Sequence, residues 1–128
     1  MRGLFMKRNN QISHDNMVRK AVNHLRSKGF RDIRADLKGC VQPDKIIWKK
    51  SGLGHIPDLS AQNGNLKIFE VETVDSIRDS HTEDQWSLFS TFAEQHGAEF
   101  WVVVPSGHEY DANSRLNQLK IQAKIWEI

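Results

Sequence analysis

"GHIPDLSAQNGNLKIFEVET", Gly54 to Thr73, is the stretch whose reading decides the fold. Asn63-Gly64 is a strong hairpin signal. It predicts two antiparallel strands, "HIPDLSAQ" and "NLKIFEVET". Three carboxylates sit where a small domain normally builds its core: Asp58 after Pro57, then Glu70 and Glu72. Side chains alternate along a strand, so Glu70 and Glu72 share a face, about 6 to 7 Å apart. Burying them unpaired raises their pKa values or weakens the sheet. A bound divalent cation removes that conflict, and oxygen ligands of this kind suit Mg2+ or Mn2+. A lone Glu-x-Glu more often marks an exposed edge or solvated sheet face, where Glu costs little. Asp58 on the paired strand is what favours a site.

That argument makes a demand on register. With a two-residue Asn63-Gly64 turn, Gln62 pairs with Asn65, and Asp58 faces away from Glu70. With a three-residue loop, Asn63 to Asn65, Gln62 pairs with Leu66 and Asp58 lies opposite Glu70. Asn65 then takes the left-handed position, which Asn tolerates. A bulge at Pro57, which has no N–H for the ladder, re-aims Asp58 in the same way.

Outward from the hairpin, Ser13 is a good N-cap, and Met17, Val18, Ala21, Val22 and Leu25 fall at helical spacing. Gly29 suits the helix end, with Phe30 folding back behind it. "RDIRADL" and "KIIWKK" read as strands. In "SHTEDQWSLFSTFAEQHG", Ser80 and Glu83 form a capping box, Trp86, Phe89, Phe92 and Ala93 an apolar stripe, and Gly97 the stop. "EFWVVVP" reads as a strand buried on both faces, parallel to a neighbour through the helix crossover. "DANSRLNQLKIQA" is a third helix, with Leu116, Leu119 and Ala123 on one side, and "KIWEI" a last short strand. The order is helix-strand-strand-strand-helix-strand-helix-strand. It implies an α/β fold with a mixed central sheet flanked by helices.

The 128 residues suit one domain, 1–128, with a core over 13–105 and a C-terminal helix and strand over 111–128. Apolar content of 38% with 27% charged residues excludes a disordered chain. A single cysteine, Cys40, excludes an internal disulfide and a Cys-rich zinc site. No apolar run reaches the ~18 residues of a membrane span, and the start has no signal-peptide character, so a cytoplasmic location is expected. The net charge of +2 conceals an asymmetry: 13 Lys/Arg against 4 Asp/Glu in residues 1–50, and 5 against 12 in residues 51–128. A basic half suggests a polyanionic partner. Folding that mixes solvated charges accounts for the same counts.

Pro57-Asp58, eleven intervening residues, then Glu70-Val71-Glu72 resembles the PD-(D/E)xK nuclease superfamily, whose members have the restriction-endonuclease-like fold. The shared helix, three strands, helix, strand core is similar to the order read from Ser13 to Pro105. The resemblance implies that Asp58 and Glu70 hold a metal, Mg2+ or Mn2+. It implies a magnesium-dependent hydrolase: an endonuclease-like, DNA-binding phosphodiesterase whose partner is nucleic acid, DNA before RNA. Such a domain can dimerise to cut both strands. The third motif position is usually Lys, which orients or activates the attacking water. Here it is Glu72, a replacement also found in some restriction enzymes of the superfamily, and a candidate base or further ligand. Gln85, four residues before Phe89, resembles the Gln-x-x-x-Tyr of exonuclease-type members and is a candidate nucleic-acid contact. Arg19, Lys20, Arg26, Lys49 and Lys50 are candidate phosphate contacts. His81, Asp15 and His55 are candidate accessory residues. The missing Lys also fits an alternative: a decayed nuclease fold that binds nucleic acid or assembles with a partner protein. A small interaction domain with solvent-facing glutamates is the third reading.

Overall fold

The computed structural model describes residues 2–49 and 51–128, with side chains from residue 10 onward. Helix α1, Arg2–Ser27, begins well before Ser13. Leu, Met, Lys and Arg in that upstream stretch are good helix formers. Ser13 is therefore an exposed interior position and not the expected cap. The helix ends as the sequence predicts. Phe30 N–H donates to the Leu25 carbonyl at 3.1 Å and Gly29 N–H to that of Arg26 at 3.1 Å. Gly29 sits at φ 81°, in the left-handed region that closes such a turn.

Five strands form one mixed sheet in the order β1 (Arg31–Ala35), β4 (Leu59–Asn63), β5 (Asn65–Val71), β6 (Glu99–Val104), β7 (Lys124–Glu127). The pairs β1/β4 and β4/β5 are antiparallel; β5/β6 and β6/β7 are parallel. The expected strands "KIIWKK" and "HIPDLSAQ" come out differently. Only Ile46–Ile47 (β2) and Gly54–His55 (β3) pair, as a separate two-stranded ribbon. Pro57 has no N–H to carry the ladder on, so β4 starts afresh at Leu59. Gly54 is needed where it stands, because a Cβ there would lie 2.4 Å from the Ile46 carbonyl oxygen.

Helix α2, Ser80–His96, makes the crossover from β5 to β6. Its cap is Asp79 and not Ser80: the Asp79 carboxylate accepts from His81 N–H at 2.9 Å, which leaves Ser80 as the first helical residue. Helix α3 spans Glu109–Leu119, shorter at its end than the sequence suggests. Lys120 turns left-handed at φ 56°, so Ala123 lies in the link to β7 and packs on the core from there.

The sheet has a helix layer on each side. On one, Val18, Ala21, Val22 and Leu25 of α1 pack on Leu59, Ala61, Phe69, Val71 and Val103. On the other, Trp86, Leu88 and Phe89 of α2 and Leu116 of α3 pack on Ile68, Phe100, Val102 and Val104. The alternation of β5 follows directly: Phe69 and Val71 face α1, while Ile68 and Glu70 face away from it. Among the described residues no helix is long and apolar enough to cross a membrane.

Candidate active site

The hairpin meets the register demand through its three-residue loop. Gln62 pairs with Leu66 and Asn63 with Asn65, and the same register carried one step past Leu59↔Phe69 sets Asp58 opposite Glu70. The left-handed residue is Gly64, at φ 79°, and not Asn65. Glycine adopts that conformation without steric cost, so Asn65 keeps an ordinary strand backbone.

At the end of β5 the two carboxylates interlock with the backbone. Asp58 N–H donates to Glu70 Oε1 at 2.9 Å, and Val71 N–H donates to Asp58 Oδ2 at 2.8 Å. Glu72 follows β5, its N–H donating to the Val103 carbonyl at 2.8 Å. Its side chain is held at both oxygens. Trp86 Nε1–H of α2 donates to Oε2 at 2.8 Å, and Ser76 Oγ–H donates to Oε1 at 2.8 Å. Glu70 and Glu72 are each only 4% exposed, which excludes solvent-facing glutamates. Among the described residues, nothing donates to Glu70 Oε2 or Asp58 Oδ1.

The cleft around them holds about 520 Å³ between the middle of α1, the end of β5 and the start of α2. Asp58, Glu70, Glu72, His14, Gln11 and Gln85 all line it. His14 of α1 places Nε2 3.1 Å from Asp58 Oδ2 and Nδ1 3.2 Å from Asp15 Oδ1. Gln11 Nε2–H in turn donates to Asp15 at 2.9 Å.

This geometry sets the protonation states. Burial pushes Glu70 well above the usual carboxylate range, and the charges of Asp58 and Glu72 push it further. Burial also raises Glu72, to about 7, although the Trp86 and Ser76 hydrogen bonds oppose the rise. For His14, burial works against the charged ring, but hydrogen bonds and charge from Asp58 and Asp15 outweigh it and raise the pKa to about 9. The site therefore sets a His14 held toward its charged form beside two buried glutamates, Glu70 and Glu72, held toward their protonated forms. Such a site can move protons.

Its fit to a divalent cation is partial. Asp58 Oδ1 and Glu70 Oε2 are two carboxylate oxygens without protein donors in one cleft, a suitable hard-oxygen set. Both Glu72 oxygens already accept strong hydrogen bonds. Among the described residues no group of three or more His, Cys, Asp or Glu side chains is arranged to hold a metal ion.

Other sequence-predicted residues lie elsewhere. Asp15 does not line the cleft and reaches it through His14 and Gln11. His81 is exposed on the first turn of α2 and does not line the cleft. His55 sits in β3, edge-on to Phe89 at 6.4 Å, also away from it. Arg19, Lys20 and Arg26 are exposed on α1, and none lines the cleft. Lys49 lines a different groove, between β2 and α2. Lys50 lies outside the described residues. The sequence reading missed His14 and Ser76. A signal for His14 exists: the stripe Val18, Ala21, Leu25 extended back one turn reaches position 14 on the sheet-facing side.

No family model matches this chain, and no curated protein or solved structure is significantly similar to it.

Proposed function

We propose that the chain is a divalent-metal-dependent nucleic-acid phosphodiesterase of the PD-(D/E)xK kind, with a restriction-endonuclease-like fold and DNA as its first substrate. One observation carries the reading: the odd hairpin loop brings Asp58 and Glu70 into one cleft, each with a carboxylate oxygen left for a ligand. The strand order and the parallel crossover through α2 agree with it.

Asp58 and Glu70 would hold Mg2+ or Mn2+, which when bound activates water and neutralises charge on the scissile phosphate. The chain's own residues do the rest. Val71 N–H and His14 fix the Asp58 carboxylate, and Asp58 N–H fixes Glu70. Glu72, titrating near neutrality, is the group able to take a proton from water. Gln85 supplies an amide to the cleft wall for substrate oxygens.

A second reading has an observation of its own. Glu72 is locked by Trp86 and Ser76 where the motif expects a free Lys, which favours a decayed domain that keeps the fold for nucleic-acid binding or assembly with a partner protein.

The deciding experiment is a cleavage assay on single-stranded, duplex and branched DNA with Mg2+ or Mn2+, wild type against Glu70→Ala. The catalytic reading expects cleavage lost in the variant, with DNA binding kept or improved as repulsion of phosphate is relieved. Full cleavage by Glu70→Ala removes the site assignment. Metal-independent binding without cleavage by the wild type selects the second reading.

A further inference from the structure

A second concavity lies on the α1 side of the sheet, at the opposite end of β5 from the carboxylates. It encloses about 200 Å³ and is lined by Phe30, Phe69, Trp101, Trp126, Leu25 and the Lys67 stem, with His24 and Lys28 at its mouth. Its aromatic rings are mutually braced. Phe69 stacks with Trp101 at 6.3 Å, Phe69 meets Trp126 edge-on at 5.9 Å, and His24 lies against Trp126 at 5.1 Å. Trp101 and Trp126 are only half-buried, unlike Trp86 in the core.

We propose that this pocket is a stacking subsite for one unpaired nucleobase of a single DNA strand whose phosphates run along α1 toward the carboxylate cleft; it rests on the nucleic-acid reading above. Three observations select that occupant. The walls are almost wholly apolar and aromatic, which suits the face of any base and reads no sequence. The volume takes one planar heterocycle and is too small for a helix or a long acyl chain. The rim is cationic. Lys28 stands at the mouth, and no described residue pairs with its ammonium. The nearby carboxylate, Glu99, is neutralised by Lys67 and Lys124, each at 3.2 Å.

The spacing follows from α1. His14 at the cleft and His24 at the pocket are ten residues apart on one helix, about 15 Å at 1.5 Å per residue. A strand that occupies both sites must cover that distance along α1.

The test uses the full chain in EDTA, with fluorescein-labelled dT12, dT3 and a 12-base-pair duplex as probes and fluorescence anisotropy as readout. Trp126→Leu is expected to weaken dT12 binding about tenfold and to change dT3 and duplex binding much less. Lys28→Glu, an exposed position that leaves packing intact, is expected to weaken dT12 severalfold with an unchanged melting temperature. Wild-type failure to bind dT12, or dT12 binding indifferent to both substitutions, overturns the subsite. The nuclease reading is separated by repeating with Mn2+. Dependence on Trp126 without any cleavage keeps the subsite and removes the nuclease. Cleavage of dT12 unaffected by either substitution keeps the nuclease and removes the subsite.

Discussion

Glu72 is the residue on which the proposed chemistry turns. A Lys at this position would put an ammonium against the Trp86 N–H and the Ser76 hydroxyl, donors facing a donor. The surroundings are built for an acceptor, so Glu72 is not a Lys site awaiting reversion. Glu72→Lys is expected to destabilise the fold by about 1–3 kcal/mol, the cost of an unpaired buried donor, and to give no gain in cleavage. Urea denaturation and a nuclease assay check both halves. The three carboxylates were legible in the sequence because charge in an apolar strand is conspicuous. His14 was not, because its partner Asp58 is 44 positions away and only the docking of α1 joins them. Ser76 was hidden in the same way, in a turn whose shape the sequence does not announce.

The elements with local punctuation were read well. Gly29 and Gly97 end α1 and α2 in the left-handed conformation, and a glycine there needs no tertiary information. The hairpin carries the same kind of information in Gly64. Gly64→Val is expected to cost about 1–2 kcal/mol, since a β-branched residue resists φ 79°, and to lower the melting temperature by several degrees. Elements fixed by tertiary contact were read poorly. The ribbon β2/β3 is two residues long on each side, too short for alternation to show, and it exists because Ile46 packs under α2. The early start of α1 was invisible for a related reason: a good cap residue such as Ser13 does not compel a helix to begin there.

For the whole molecule, the buried acids and His14 set a stability profile. Glu72, near 7 folded against 4.5 unfolded, contributes fully below pH 4.5 and progressively less up to 7; Glu70 shifts in the same direction. His14, near 9 against 6.5, contributes fully below 6.5 and loses its contribution as pH rises through 9. Glu99 acts on the acid side. Burial alone would raise it, but hydrogen bonds from Trp101, Lys124, Lys67 and Asn65 hold it at about 2, so its contribution is lost as pH falls from 4.5 through 2. Without added metal, the melting temperature is expected to peak near about pH 5 and to fall steadily to pH 9. Glu70→Gln, which keeps an acceptor for the Asp58 N–H, should flatten the alkaline limb; an unchanged limb would show that burial of this acid does not govern it. Charge at the same scale bears on the partner. With about three phosphate contacts on a single strand, binding is expected to weaken about 20-fold between 50 and 200 mM salt. A flat response in an anisotropy titration would exclude a nucleic-acid partner.

The loop at Gly64 has a further meaning for how the chain can change. Strand faces obey odd and even counting, and the odd loop is what sets Asp58 beside Glu70. Inserting or deleting a single residue there would leave both strands hydrophobic on alternate positions, yet send the two acids to opposite sides of the sheet. A change of two would restore them. Length variants of this turn should therefore alternate between competent and incompetent, and descendants of this sequence can drift in the loop only by pairs.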